Sequence, residues 1–507
     1  MANPLFARKP VKLLLEEMEG ENRLRRVLGP VQLSSLGIGA IIGTGIFVLT
    51  GVAAHDKTGP ALMLSFVVAG LACVFAALCY AEFASMVPVA GSAYTYAYAT
   101  LGELLAWIVG WDLVLEYAVA SAAVAHGWSH YFQDFIGIFG LKLPMVFTNA
   151  PFDFNPATGT LSSTGTVLDL PAFAIAAIMT IILVIGIKES ASFNTAMVAV
   201  KLAVVFIVIG VGVFYIDPRN WRPFAPYGLS GISFFGKTIL GQTGRGGEPL
   251  GMMAGAATIF FAYIGFDSVS THAEEARNPR RDVPIGIISS LIICTVLYIA
   301  VSAILTGMVP YDQISIDAPV SNAFAHVGLT WAQFIVSLGA LTGITSVLLV
   351  LMLSQPRVLL AMARDRLIPE SFFGAVHDKF RTPWKSTILT GIFVGVLGSF
   401  LPLRILAELV NIGTLLAFVI VCSAVLIMRK THPELHRPFR APLFPFVPIA
   451  GIAICLVLMF SLPAENWLRL IVWLLIGFTI YFTYGKNHSA LRKANQAVRD
   501  LPGGVRR

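Results

Sequence analysis

Apolar runs of about 20 residues, the length an α-helix needs to cross a hydrocarbon core of about 30 Å, recur in this chain from residue 33 to residue 485. Unpaired backbone groups cannot face lipid, so these runs are predicted to be membrane-spanning helices. Twelve are read, at about 33–52, 61–86, 102–130, 169–187, 194–215 and 251–275, then at about 283–308, 331–363, 386–401, 405–428, 444–461 and 467–485. The composition agrees: 56% of the residues are hydrophobic and 12% are charged, a balance that a wetted surface does not sustain. The expected organisation is an N-terminal segment at 1–30, helices one to five at 31–216, an outer loop at 217–250, helices six to ten at 251–428, two further helices at 429–485 and a tail at 486–507.

A net charge of +7 taken alone would suit a nucleic-acid partner, but the placement of the basic residues argues for a membrane. They crowd into alternate loops. The side holding the N-terminal segment, Lys188, Arg277 to Arg281, Arg364 to Lys385, Arg429 to Arg440 and the tail carries 25 of the 35 Lys and Arg residues. The other side has only Lys57, Lys142, Arg219, Arg222, Lys237, Arg245, Arg404 and Arg469, leaving Lys201 and Arg357 within or near the membrane. That asymmetry predicts a multi-pass plasma-membrane protein with both termini cytoplasmic and no nucleic-acid partner. All five cysteines fall inside apolar spans without redox or zinc spacing, so no disulfide is expected. The first 30 residues are too polar for a secretory signal, which makes the first span the targeting signal.

Two spans are unusual inside. The first carries Gly37, Gly39, Gly43 and Gly45 within nine residues. Such a cluster serves either close helix packing or an interruption whose bare N–H groups, at the positive end of a half-helix, bind a carboxylate. In the sixth span, Phe260-Phe261-Ala262-Tyr263-Ile264-Gly265-Phe266-Asp267 joins an apolar half to a polar one. Interrupted helices at corresponding places in two halves point to a transporter's binding site, where free amides meet an anionic group and free carbonyls a cation. A zwitterionic amino acid presents both. The halves share no evident sequence identity, so an inverted repeat rests on this correspondence alone.

These stretches, with Tyr80-Ala81-Glu82-Phe83, Glu274-Glu275-Ala276-Arg277-Asn278-Pro279, Ala363-Arg364-Asp365-Arg366-Leu367-Ile368-Pro369, Thr382-Pro383 and Asn411-Ile412-Gly413-Thr414-Leu415, give the chain a family likeness. It resembles the amino acid/polyamine/organocation superfamily over essentially its whole length, and most of all the cationic amino acid transporter branch, which has bacterial members that carry neutral amino acids. The resemblance implies an all-α, leucine-transporter-like fold: twelve transmembrane helices, two inverted repeats of five and two helices appended. It further implies that amides at Ile41, Thr44 and Gly45 hold a substrate carboxylate and that carbonyls of Phe261, Ala262 and Ile264 hold its amino group. A lysine at the position of Lys201 stands in for a sodium ion in proton-coupled relatives, and Glu116 becomes a carboxylate beside the pocket. No cofactor is implied beyond the proton as coupling ion. The implied partners are the amino acid and membrane lipids, with the carrier working as a monomer or beside a small membrane subunit. The glycine-rich stretch Gly241 to Gly251 and His272, at a place where small residues are common, depart from the pattern.

Lys201 lies about 10 Å into span five on a rise of about 1.5 Å per residue, where a bare ammonium is costly. It either exchanges protons as its surroundings change or snorkels to the membrane surface. Glu116, about 21 Å into span three, is too deep to snorkel and should face the bundle interior, as a pocket carboxylate or as a protonated structural acid. Asp112, one turn earlier, reads as nearer the surface and structural. Glu274 and Arg277, in a charge cluster with Glu275, Arg280, Arg281 and Asp282 beside Arg364, Arg366 and Arg381, are candidates for an inner gate or simply for solvated loop charges. His126 and His130 have the i, i+4 spacing of metal ligands, but no acidic companion is near in sequence, so no metal is assigned and they read as interfacial. In span eight, Ile344, Val347, Leu348 and Leu351 form an apolar face that cannot hold a guanidinium. Small neutral L-amino acids such as alanine are therefore expected over arginine, with a cationic amino acid carrier or a non-transporting sensor as alternatives. An enzyme would need a metal motif, a nucleophile set or a nucleotide loop, and none is evident; a channel would need a filter segment.

Overall fold

The computed structural model describes residues 4–10, 13, 28–87, 89, 91–155, 160–185, 190–244, 247–380 and 382–500. Lys12, Arg23, Arg25, Arg26, Lys188, Arg245, Arg381, Arg506 and Arg507, all used in the charge count, lie outside them. Among the described residues, eight helices are long and apolar enough to cross a membrane and four shorter apolar helices accompany them. In chain order the apolar helices are α1 (Pro30–Ile41), α2 (Leu62–Met86), α3 (Glu103–Ile138), α4 (Leu170–Ile185), α5 (Ser190–Gly212) and α6 (Met252–Ile259). Then follow α7 (Pro279–Met308), α8 (Thr330–Arg364), α9 (Trp384–Phe400), α10 (Leu403–Thr431), α11 (Phe446–Ser461) and α12 (Ala464–Ile480). A short amphipathic α13 (Ala490–Asp500) closes the chain.

Two spans run further than hydropathy suggests. The first keeps helical backbone through Thr58, because its polar end is used: Lys57 Nζ donates to Thr258 Oγ1 at 2.9 Å. The third continues to Ile138 because the polar residues past 130 face protein, with Asp134 Oδ2 accepting from Ser321 and Ser337 at 2.6 Å each.

Three pairs of helices five places apart in the chain are neighbours in space: α2 packs on α7, α3 on α8 and α4 on α9, while α1 rests on α7 and α5, and α10 lies against α3. The central position of α3 is plain from burial: 83% of its apolar window is covered, against 22% for the stretch containing α12. Stacked Trp107, Trp111 and Trp473 fasten α12 to α3 from outside.

The ends of the bundle differ. At the end where α6 begins, the glycine-rich stretch pairs strand Gln242–Thr243 with Pro249–Leu250, and Gly251 N–H donates to Lys57 O at 2.9 Å, seating the loop on the start of α6. At the other end, ion pairs tie the segments near the termini to the helices. Lys9 Nζ meets Asp365 Oδ1 at 2.8 Å while Tyr94 donates to Oδ2 at 2.6 Å. Glu103 receives Arg492 at 2.7 Å and the Tyr481 hydroxyl at 2.8 Å, and buried Glu82 receives Arg429 and the Ala441 N–H.

Candidate functional site

Both glycine-marked spans are interrupted. After α1, Ile42 turns extended (ψ 101°), and helical backbone resumes at Gly45–Leu49. After α6 the chain tightens into a 3₁₀ turn at Phe260–Tyr263, Ile264 is extended, and Gly265 takes φ +115°, a region open mainly to glycine. The breaks touch: a Cβ on Gly45 would meet Ala262 Cα at 2.4 Å, and one on Gly265 would meet Ala40 O at 2.9 Å. The glycines of span one therefore serve both readings, permitting the break and the close approach to its counterpart.

An interrupted helix strands carbonyls that water cannot reach, and each needs a donor. Lys201 supplies the first break. Its ammonium, fully buried, does not snorkel; Nζ donates to Gly39 O at 2.9 Å and Ile42 O at 2.8 Å, at the negative end of α1. At the second break Asn411 Nδ2 donates to Ala257 O at 2.9 Å near the end of α6. Tyr298, from α7, stands between: its hydroxyl is 2.7 Å from Ile41 O and 2.8 Å from Ala262 O, and its one hydrogen serves one of them at a time.

The expected substrate contacts cluster here. Ile41, Thr44, Gly45, Phe261, Ala262 and Ile264 are all buried. Thr44 Oγ1 has no hydrogen-bond partner, whereas Phe261 O accepts the Ile264 N–H at 3.1 Å. Val347 of α8 abuts the first break, where a Cβ on Gly43 would meet its Cγ2 at 2.6 Å, and Ile344, Leu348 and Leu351 are buried on the same helix.

Glu116 faces the interior of the bundle, and its Oε1 has no hydrogen-bond partner. Asp112, expected nearer the surface, is just as inaccessible, because α10 covers it: a Cβ on Gly413 would lie 2.8 Å from Asp112 Oδ1. Asp267, at the end of the sixth-span motif, joins Glu116 and Asp112 within electrostatic reach and accepts the Tyr117 hydroxyl at 2.6 Å. Sequence reading passed over Asp267 and Tyr298. A buried acid at the end of a broken helix was a visible signal, whereas a lone tyrosine in an apolar span was not.

At the junction leading into α7, Arg277 is exposed, and the Glu274 side chain lies outside the described residues. The ion pair across this junction joins Glu275 to Arg357 of α8 at 2.8 Å. His130 is half-buried. His126 is buried, and the fold brings Asp169 to it from the start of α4, with Asp169 Oδ2 at 3.3 Å from His126 Nδ1.

Two interrupted helices touching at their breaks inside a bundle of apolar helices suit a membrane permease. The chain belongs to the amino acid permease family, whose pattern it matches over residues 28–482, and so to the amino acid/polyamine/organocation superfamily; it is a multi-pass membrane protein. It is similar to the methylthioribose transporter of Bacillus subtilis, 46% identical over 489 residues that cover 96% of this chain and 99% of that one. It is 47% identical over 494 residues to the branched-chain amino acid permease of the same organism, covering 97% and 100%. The vacuolar cationic amino acid transporter 4 of Arabidopsis thaliana is 39% identical over 439 residues, 85% of this chain and 68% of the relative.

Proposed function

We propose that this protein is a secondary transporter that imports neutral L-amino acids with protons, working by alternating access in a twelve-helix fold of two inverted five-helix repeats, with both termini cytoplasmic. The observation that carries the reading is the Lys201 ammonium seated on Gly39 O and Ile42 O. A cation at the carbonyl end of α1 fixes the shape of the first break, so that amides around Thr44 and Gly45 can receive a carboxylate. Loss of its proton withdraws the charge and loosens the break, which links substrate release to proton release. The neighbour relation of helices five apart supports the repeat, and the ion pairs Glu275–Arg357 and Lys9–Asp365 are read as the closed inner gate.

The apolar face of α8 at Ile344, Val347, Leu348 and Leu351 suits an alkyl side chain, with alanine the expected small substrate. Similarity to a branched-chain amino acid permease supports the same class. Similarity of equal extent to a methylthioribose transporter supports a second reading, an uncharged sugar without a carboxylate. Uptake into proteoliposomes separates them. Labelled alanine should accumulate when the outside is acidified and should be displaced by valine or leucine more strongly than by arginine or methylthioribose. Arginine uptake above that of alanine at equal concentration would overturn the neutral preference, and absence of counterflow would make the protein a sensor.

A further inference from the structure

Away from the broken helices, His126 and His130 of α3 and Asp169 at the start of α4 form a group whose ligand atoms all lie within 4.8 Å of one another. One helical turn separates the two histidines, so their rings leave the same face, with centroids 4.7 Å apart. Asp169 is fully buried. Its Oδ1 accepts from Ser129 Oγ at 2.5 Å and from the Ala172 N–H at 3.1 Å, which fixes the carboxylate. Its Oδ2 faces His126 Nδ1 at 3.3 Å and has no donor in hydrogen-bond geometry. From the segment between α7 and α8, Asp317 Oδ1 stands 3.1 Å from His130 Nδ1. His126, His130 and Asp317 line an outer cavity of about 320 Å³.

We propose that this pocket binds a divalent transition-metal ion of the zinc type through His126, His130 and Asp169, with Asp317 beside the open position. Two imidazoles and one carboxylate with a water in fourth place are a usual zinc set, and two nitrogen ligands select against magnesium and calcium. Tetrahedral bonds of about 2.0–2.1 Å put ligand atoms about 3.4 Å apart, close to the separation already present between His126 and Asp169. Binding through His126 Nδ1 displaces that atom's present contact with Gly398 O at 3.2 Å. Ser129 and Ala172 supply the supporting hydrogen bonds that keep a ligating carboxylate oriented. An ion here ties α3 to α4 and, through Asp317, to the segment leading into α8, so its occupancy should also slow uptake, an effect that rests on the transport reading above.

The test is calorimetric titration of the purified full-length protein with zinc chloride, with magnesium chloride as the comparison. The expected result is one saturable zinc site, no magnesium site, and zinc affinity lowered by more than about 10-fold in His126→Gln, His130→Gln and Asp169→Asn. Because Asp169 also caps α4, the two histidine variants stand on their own if the aspartate variant fails to fold. No zinc binding, or zinc binding unchanged in both histidine variants, overturns the site whatever the transport assays give. Loss of zinc binding in His130→Gln with zinc-free alanine uptake intact supports it and leaves the transport reading separately testable.

Discussion

At the first break the carbonyls of Gly39 and Ile42 face an ammonium, whereas at the second the freed groups are met by an amide, a hydroxyl and backbone geometry that only glycine tolerates well. The two halves of the site are thus held by different physics. Charge at a helix terminus can be switched by a proton; an Asn411 cap and the φ of Gly265 cannot. On the proposed reading, coupling belongs to the first break and fixed geometry to the second, a division open to attack from each side.

The largest effect is expected from Lys201→Ala. Removing the ammonium leaves Ile42 O without its donor and Gly39 O with only the 3.4 Å bond from Ser346 Oγ, and a buried acceptor left unsatisfied costs about 1–3 kcal/mol. Acid-driven alanine accumulation in proteoliposomes should fall to background, and Lys201→Arg should not restore it, since a guanidinium does not release its proton. Full acid-driven accumulation in Lys201→Ala would break the assignment of coupling to the first break.

Gly265→Ala should come next. Holding a side chain at φ +115° costs about 1–3 kcal/mol, and the added Cβ would sit 2.9 Å from Ala40 O, which is backbone and cannot swing aside. The expected outcome is a lower melting temperature in detergent and slower uptake, with the ratio of uptake with and without a pH gradient unchanged. A changed ratio would show that the second break takes part in coupling.

What could be read in the sequence follows the same division between local and tertiary causes. Lipid imposes a length on every span and glycine marks where the backbone must open, so the helices and both breaks are legible in order along the chain. The depth of Lys201 is legible too, because a lone cation seven residues into an apolar run has few explanations. Partners are not. Nothing local pairs Tyr298 with Ile41 and Ala262, Asn411 with Ala257, Glu275 with Arg357, or His126 with Asp169, since each pair is made by packing between distant helices. The burial of Asp112 is illegible for the same reason: its cover comes from α10, some three hundred residues later.

The smallest effect is also the sharpest test of the comparison, because Tyr298 belongs to both breaks. Tyr298→Phe keeps the ring packed against Phe66 and Tyr263 and removes only the hydrogen shared between Ile41 O and Ala262 O. A neutral hydrogen bond of this kind is worth about 1 kcal/mol, or about 5-fold in an equilibrium constant. If the hydroxyl merely keeps the two half-helices in register, the KM for alanine should rise by about that factor while the dependence of uptake on external pH stays where it was. If instead KM holds and the pH dependence moves, the hydroxyl relays protons between Lys201's break and the other, and the division of labour between them fails.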